Sequence, residues 1–376
     1  MKRRTLLLVV AVTAAGCAGA AAPTPTATRT RAPYEAAPAG SHSLQIQIDT
    51  RTARDLLAFL SLPQFQADRA KAIRELPAVR LALQDSGRTP DVFERDLAAA
   101  FGEEPTSGVF DFHSIRAKQA RWEALLSALT AREADVARMA SERAAALLPA
   151  DRPIAARLQV FLSFGLAGLA DHLVVVLPDR NEAMIVDLAR ALGEAEGETV
   201  DNQIERVARL IAGEAFRQAW RAYRTDSESW ARHDSSLGQL EPLFQVVAEQ
   251  GPVALFHVDE NFFPLSTWLR EPMKRTMGEF NRTAERLVES EGDLEKRMTL
   301  AAEIRRADFA QRLGGPAGAF LCDGIIQALG LDAFRSALAA GPKAFFAAYD
   351  EAQQKSGDLV PLSPVIRERI ATKPKR

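Results

Sequence analysis

Cysteine and histidine are scarce in this chain, which contains 2 cysteines and 5 histidines among 376 residues. With cysteine present only as Cys17 and Cys322, a framework of several disulfides is excluded. Long apolar runs are also lacking, because the run from Leu6 to Val12 is far shorter than the ~20 residues that a membrane-spanning helix needs. We therefore expect neither a disulfide-stapled domain nor a transmembrane helix.

Neither sign of charge is in excess, since 47 Lys and Arg residues face 49 Asp and Glu residues, for a formal net charge of −2. A nucleic-acid-binding domain normally shows a basic face or stripe. Here arginine is interleaved with Asp and Glu, a pattern typical of solvated helix surfaces. The expected partners therefore include no nucleic acid.

Two common catalytic signatures are missing as well. The serines that we considered as nucleophiles lie outside any G-x-S-x-G context, so a serine hydrolase of that type is not indicated; they are Ser163, Ser227, Ser229 and Ser235. Residues 165–170 contain two glycines but neither the G-x-G-x-x-G pattern nor the lysine of a phosphate-binding loop. We interpret this segment as a turn between strands.

The N-terminus carries the most specific pattern in the chain. A basic stretch at residues 2–4 precedes the apolar run Leu6 to Val12 and then the small residues Ala14-Ala15-Gly16 before Cys17. This arrangement resembles a bacterial lipoprotein signal, although Ala14 stands where leucine is commoner. The resemblance implies cleavage before Cys17 and acylation of that cysteine. The alternative is an ordinary secretory signal with a chance cysteine.

The next segment, residues 17–43, is rich in Ala, Pro and Thr and has few large apolar side chains. Such a composition cannot bury enough surface to offset chain entropy, and it predicts a disordered tether. We therefore predict a signal peptide at 1–16, a lipidated Cys17 with its tether at 17–43, and a folded region at 44–370. The expected location is the bacterial cell envelope, with the lipid holding the protein at a membrane facing the periplasm, most simply the outer one.

The folded region is predicted to be mainly helical with a small β-sheet, an α+β protein of one domain or of two lobes around a cleft. Alternation with period two from Leu44 to Asp49 predicts a strand, and short apolar runs near 158–164 and 172–177 predict two more. A further strand at 184–188 is left open, so this region has two or three strands. Helices are predicted over 51–61, 64–85, 91–101, 114–148, 204–223, 238–250, 264–290, 292–312, 316–329, 331–340 and 342–354.

The helix from Ile204 to Tyr223 has the most informative centre, the sequence GEAFR at 213–217. Zinc peptidases carry H-E-x-x-H on such a helix, because two histidines four residues apart share a face and bind one Zn²⁺. Here the two histidine positions hold Gly213 and Arg217, and Glu214 keeps the position of the general base.

The order of the predicted elements resembles that of gluzincin-type zinc-dependent peptidases of bacterial secreted proteins, over about residues 50–350. In that family a second helix supplies a glutamate ligand, typically within E-G-x-A. The matching segment here is Ala248 to Ala254, where alignment on Gly251 puts Gln250 at the ligand position. The resemblance implies a gluzincin-like architecture, with helices around a short sheet.

Carried onto this chain, the family's zinc site loses its ligands. Gly213 has no side chain, Arg217 is a permanent cation that repels a metal, and Gln250 is a weak neutral donor. Without a metal to acidify its water, Glu214 has no activated nucleophile to deprotonate. We therefore expect no metal cofactor and no zinc peptidase activity here.

The residues that remain suggest a hypothesis about binding. Glu214 and Arg217 can pair along the helix, and Gln250, next to Glu249, could hydrogen-bond either of them. A polar network would then occupy the place that the metal has in the family. The cleft would then bind a peptide or protein partner without cutting it. The alternative is that the helix is ordinary and the ion pair contributes under about 1 kcal/mol.

A second alternative is an active hydrolase that uses other residues or a rearranged zinc site. His172, His257 and either Asp259 or Glu260 form such a candidate set, although their spacing is not that of a zinc signature. The other histidines, His42, His113 and His233, are expected to be exposed or singly hydrogen-bonded. Cys322, in the mostly apolar run from Ala317 to Leu329, is expected to be a buried side chain and not a reactive thiol.

Overall fold

A computed structural model of the chain describes residues 42–102, 109–166, 168, 170–193, 198–258 and 264–372. All of them belong to the unit Ala36–Arg376. Cys17 and all of the predicted tether except His42 and Ser43 lie outside the described residues.

Four strands form one mixed sheet with the order β1-β2-β4-β3. The strands are β1 (His42–Asp49), β2 (Ile154–Ser163), β3 (His172–Val176) and β4 (Glu182–Asp187). β2 pairs in parallel with β1 and with β4, whereas β3 pairs antiparallel with β4 at the edge of the sheet. The three predicted strands are present, and so is the strand near 184–188 that the sequence left open, although the pairing of the strands was not predicted.

Burial along the strands follows their place in the sheet. On the edge strand β1, Leu44, Ile46 and Ile48 are partly buried and alternate with exposed residues, because one face packs on the core. The central strands β2 and β4 instead end in unbroken buried runs, 160–163 and 183–187, since helices cover both faces there.

Helices fill the connection between β1 and β2. They are α1 (Arg51–Leu60), α2 (Ala67–Arg74), α3 (Pro77–Ser86), α4 (Pro90–Ala99), α5 (Phe112–Ala117), α6 (Gln119–Ala131) and α7 (Glu133–Leu147). The predicted helix 64–85 is in fact two helices. Leu76 is extended, with ψ of 141°, because the ring of Pro77 disfavours helical geometry in the preceding residue.

The predicted run 114–148 is likewise divided, into α5, α6 and α7, with Lys118 and Arg132 in non-helical conformations at the junctions. Its predicted end is confirmed, since Leu148 is extended before Pro149. After the sheet come α8 (Leu188–Leu192) and α9 (Val200–Thr225). α9 contains GEAFR, begins at a Thr199 side chain that accepts the Asn202 N–H, and packs against α7 and β2.

The described part of the C-terminal half consists of helices and the loops that join them. It contains α10 (Glu228–Ala231), a 3₁₀ turn (Gly238–Leu240), α11 (Glu241–Val258), α12 (Thr267–Glu289), α13 (Leu294–Ile304), α14 (Ala307–Phe309), a π turn (Ala310–Gly314), α15 (Gly315–Leu329), α16 (Leu331–Ala340), α17 (Pro342–Lys355) and α18 (Pro364–Ala371). α11 continues through Pro252, beyond the predicted end at 250, and α18 was not predicted.

The core confirms the interpretation of Cys322. It lies fully buried in α15, and burial raises the pKa of its thiol well above the ordinary value. The fold class is therefore the predicted one, mainly α with one small sheet. Among the described residues, no helix combines the length and the apolar character that crossing a bilayer requires.

The closest helix contact in the C-terminal half joins α11 to α15 at two glycines. A Cβ built on Gly251 would lie 2.5 Å from the carbonyl carbon of Gly318, and one built on Gly318 would lie 2.4 Å from the carbonyl oxygen of Val247. The two backbones approach so closely that neither position accepts a side chain. Gly251, which anchors the alignment to the E-G-x-A motif, is therefore required here for packing.

We expect Gly251→Ala to destabilise the protein by about 1–3 kcal/mol, because the added methyl group meets backbone atoms that cannot move aside. The matched control is Gly278→Ala within α12, where the nearest neighbour of a built Cβ is the Arg282 guanidinium at 3.7 Å. Alanine there should leave the melting temperature unchanged or raise it, because glycine lowers helix propensity. Thermal denaturation measures both; equal effects of the two variants would contradict the packing role.

Candidate functional site

The residues predicted on the GEAFR helix lie in the buried middle of α9. Its apolar face packs Phe216 and Trp220 into the core, and Gly213 is buried beside them. Glu214 is buried too, at 2% exposure. A carboxylate at this depth requires hydrogen-bond partners, since an unpaired buried charge is strongly unfavourable.

Both oxygens of Glu214 are occupied by neighbours on the same helix. Arg217 donates from Nε to Oε2 at 2.7 Å and from Nη2 to Oε1 at 2.6 Å. Gln218 Nε2 also donates to Oε1, at 3.1 Å. The predicted pair of Glu214 and Arg217 is thus present, and its fork geometry is the strongest form that an ion pair takes in proteins.

Arg217 also links α9 to the sheet. Its Nη2 lies 2.5 Å from Oε2 of Glu182, the first residue of β4, and Arg221 Nη1 lies 2.8 Å from Oε1 of the same carboxylate. Burial alone would raise the pKa of Glu182, but its bonds to Arg221 and Arg217 outweigh burial and lower it. Burial would lower the pKa of Arg217, whereas Glu214 and Glu182 raise it above the ordinary value. Glu182 and Arg217 are therefore both ionised at neutral pH.

Residues 249 and 250 take different places from those that the alignment suggested. Glu249, not Gln250, contacts α9: its backbone carbonyl accepts from Trp220 Nε1 at 3.0 Å, and its Oε1 accepts from Arg224 Nη2 at 2.5 Å. Across the described part of the chain, no hydrogen bond joins Gln250 to Glu214 or Arg217. The expectation that Gln250 completes the polar network is therefore wrong, because its helix meets α9 through the preceding residue.

The histidines are spread over the fold. His172 opens β3, with Nδ1 2.6 Å from Asp171 Oδ1, and His233 pairs with Glu241. Burial lowers the pKa of His42, as does Arg335, while Asp151 opposes them. Asp259, Glu260 and the side chain of His257 lie outside the described residues. Within the described ranges, no group of three or more His, Cys, Asp or Glu side chains is arranged to hold a metal ion.

A cavity that sequence reasoning missed lies at the opposite end of β4. It encloses about 270 Å³ at the carboxyl ends of β2 and β4. Its lining consists of Asp111, Ser114, Ile115, Lys118, Trp122, Gly165, Asp187, Ala189, Arg190 and Gly193. The carboxyl ends of parallel strands are the usual location of ligand sites in α/β sheets. The sequence contained one indication of this site: Asp187 is an acidic residue at the end of an apolar strand.

The walls of the cavity are held by local hydrogen bonds. Asp187 is fully buried, and its Oδ1 accepts the N–H groups of Ala189 and Arg190 at 3.2 and 3.4 Å. Gly165, just after β2, has φ of +72°, and a built Cβ would lie 3.0 Å from the Phe112 ring. Glycine is therefore required at that corner for both its conformation and its size.

Trp122 is the unusual residue of the lining. It is 3% exposed, and its Nε1 has no hydrogen-bond partner. The other two buried tryptophans donate to carbonyls, Trp220 to Glu249 at 3.0 Å and Trp230 to Leu338 at 2.8 Å. A buried N–H without an acceptor costs about 1–3 kcal/mol.

Arg121 fixes the position of Trp122. Its guanidinium lies 4.6 Å from the centre of the indole ring, and its Nη2 donates to the Gly193 carbonyl at 3.1 Å. The cation therefore stacks on the tryptophan ring and connects it to Gly193, another residue of the lining. A fixed ring keeps the unpaired N–H in one place.

Comparison with protein-family models, with curated proteins and with solved structures finds no match to this chain.

We expect Arg217→Met to destabilise the protein by about 3–5 kcal/mol, because it leaves the buried Glu214 carboxylate without its cation. Arg221→Met is the matched control: Arg221 is 50% exposed and bonds only Glu182 in this cluster, so its loss should cost under about 1 kcal/mol. The double variant Glu214→Gln/Arg217→Met should recover much of the lost stability. Chemical denaturation measures all three, and equal costs for the two single variants would show that the buried pair is not the stabilising contact.

Proposed function

We propose that this protein is a lipoprotein of the bacterial cell envelope whose folded region is a gluzincin-like domain without zinc peptidase activity. The domain binds a peptide or protein partner and does not cut it. The observation that carries the proposal is the state of Glu214: both carboxylate oxygens are held by Arg217 and Gln218, at 2.6–3.1 Å.

A general base must reach the water that it deprotonates. Glu214 is 2% exposed, and its two oxygens already accept three hydrogen bonds, so the carboxylate is engaged by Arg217 and Gln218 and is shielded from a substrate water. The guanidinium of Arg217 adds a fixed positive charge where a Zn²⁺ ligand would be needed. Gly213 contributes no side chain at all. These three facts together support the loss of the peptidase chemistry.

The sheet supports a role in peptide binding. β3 is an edge strand, and its last residue, Val176, is the register partner of Glu182 and is 62% exposed. An extended peptide can add to such an edge through backbone hydrogen bonds, with its side chains read by neighbouring groups. The ion-pair cluster of Glu182, Arg217 and Arg221 lies at the same end of the hairpin and would supply charge selectivity.

Zinc calorimetry and a protease assay on the chain from residue 40 test the proposal. We expect no stoichiometric zinc binding and no chelator-sensitive cleavage of a generic protein substrate. The reason is that, among the residues that the structure describes, no group of three metal-ligating side chains surrounds Glu214. Glu214→Gln serves as the matched variant and should behave like the wild type in both assays. Chelator-sensitive cleavage that is lost in Glu214→Gln would favour the alternative, an active zinc-dependent hydrolase.

The anchor is tested separately at Cys17. Acyl chains on this residue bind a bilayer with about 0.8 kcal/mol per buried CH₂ group, so Cys17→Ser should move the protein from the membrane fraction to the soluble fraction. Mass spectrometry of the wild-type N-terminus should show the added acyl mass. Cys322→Ala is the control and should leave fractionation unchanged. Retention of Cys17→Ser in the membrane would contradict the lipid anchor.

A further inference from the structure

Hydrogen bonds at both ends of the β3–β4 hairpin show which backbone groups of β3 are used within the sheet. At one end, Leu177 N–H donates to the Asn181 carbonyl at 2.8 Å. At the other end, Asp187 N–H donates to the Asp171 carbonyl at 2.9 Å. Because hydrogen-bonded residues of an antiparallel pair alternate with residues whose backbone groups point away from the partner, the odd-numbered residues of β3 bond β4. The even-numbered residues direct their N–H and C=O groups to the outer edge.

Val174 and Val176 form the open part of this edge. Within the described part of the chain, no hydrogen bond engages the outward backbone groups of either valine. Val176 is also 62% exposed. Free N–H and C=O groups in this alternation are the groups with which an added extended strand pairs. The edge thus offers donors and acceptors to one short extended segment.

Two arginines of α9 lie beside this edge. Glu182 is the register partner of Val176, so the two side chains project to the same face of the sheet. On that face Arg217 and Arg221 bond the Glu182 carboxylate, at 2.5 and 2.8 Å. The two arginine side chains are 30% and 50% exposed. α9 therefore brings two partly exposed guanidinium groups to the row of the sheet that ends at Val176.

The donors and the acceptors of this cluster are not equally used. Each oxygen of Glu182 accepts from one arginine, and both oxygens of Glu214 accept as well. Among the described residues, by contrast, no acceptor is bonded to Nη1 of Arg217, or to Nε and Nη2 of Arg221. A guanidinium group has five N–H donors, so both arginines keep N–H groups for a further partner. The unused capacity of the cluster is therefore for an acceptor.

The turn of the hairpin does not reverse this balance. Its one carboxylate, Asp179, accepts from the backbone N–H and the side-chain amide of Asn181 at 3.0 and 2.9 Å, and these bonds lower its pKa. The neighbouring Arg180 is exposed, with φ of +68°, a conformation that residues other than glycine adopt rarely. Both α9 and the turn thus bring exposed arginine to this end of β3.

We propose that the β3 edge binds an extended peptide segment that carries an acidic side chain beside Val176, an inference that rests on the proposed function. Val174 and Val176 form the backbone bonds, and the acidic group accepts from Arg217 and Arg221. Planar guanidinium groups match a carboxylate, and such charge-assisted bonds are stronger than neutral ones. At a strand spacing of ~4.8 Å, the added residue lies ~10 Å from Glu182, so a long acidic side chain and the arginine side chains approach each other above Val176.

Calorimetric titration of the full chain, in detergent, tests the acidic preference. The probes are three blocked peptides, Thr-Val-Thr-X-Thr-Val-Thr, in which X is Glu, Gln or Lys. We expect the Glu peptide to bind about fivefold more tightly than the Gln peptide, the upper end for an ion pair at a protein surface, and the Lys peptide to bind most weakly. Equal affinities would overturn the acidic preference and leave peptide binding intact. No binding by any of the three would contradict the peptide binding of the proposed function, and this preference with it.

Arg221→Gln tests the assigned contact. This variant should bind the Glu and Gln peptides about equally, because the exposed cation is gone, and should bind the Gln peptide as the wild type does. Arg232→Gln is the matched control, since Arg232 is also exposed and has one carboxylate partner, Glu228, at 3.4 Å. The control should keep the full advantage of the Glu peptide. The same advantage in folded Arg221→Gln would overturn the assignment.

Val176→Pro tests the edge itself. Proline lacks the outward N–H but removes no bond to β4, so the variant should keep its melting temperature and lose all three peptides. The control is Val200→Pro at the first position of α9, where proline is favoured, and it should bind normally. Should Val176→Pro fail to fold, the Glu peptide methylated on alternate backbone nitrogens replaces it and should not bind. Pairing of two β3 edges would instead give a dimer in light scattering that Val176→Pro abolishes, and that result would overturn the proposal.

Discussion

Arg217 joins two carboxylates that come from different parts of the chain, and this contact ties the central helix to the sheet. Glu214 lies on the same helix as Arg217, whereas Glu182 begins β4. With 2% exposure, Glu214 is tolerated in the core only because the guanidinium faces it in a bidentate pair. The same contact engages both oxygens of the Glu214 carboxylate. One interaction thus stabilises a buried charge and keeps that carboxylate from acting as a free acceptor.

The sheet places two polar sites at its opposite ends. At the amino end of β4, Glu182 belongs to a cluster whose charges are mutually satisfied. At the carboxyl end, the cavity beside Asp187 contains a buried donor, on Trp122, that the protein leaves without an acceptor. A satisfied network stabilises the fold, whereas an unsatisfied donor is a cost that a ligand can remove. The two ends of β4 therefore differ in how far their polar groups are satisfied within the protein.

Local pattern predicted much of the secondary structure. Alternation at Leu44, Ile46 and Ile48 predicted β1, and the helical periodicity around GEAFR predicted α9, because one face of each element is apolar. The predicted helix boundaries were wrong near two prolines. The ring of Pro77 divides a stretch that was predicted as one helix, whereas Pro252 leaves its helix unbroken. Periodicity does not distinguish these two prolines, since the outcome depends on how each backbone is packed.

The amino-acid sequence by itself indicated the mainly helical fold class, and it fixes residues 213, 217 and 250 as Gly, Arg and Gln, none of which is a usual zinc ligand. It also determined that Glu214 and Arg217 can pair, since they lie three residues apart on one helix. Only the tertiary structure decided that Glu182 joins this pair and that Glu249, not Gln250, faces α9. It also decided that the Trp122 N–H is buried without an acceptor. These contacts join residues that are 25 or more positions apart, and their distances are set by how helices pack on the sheet.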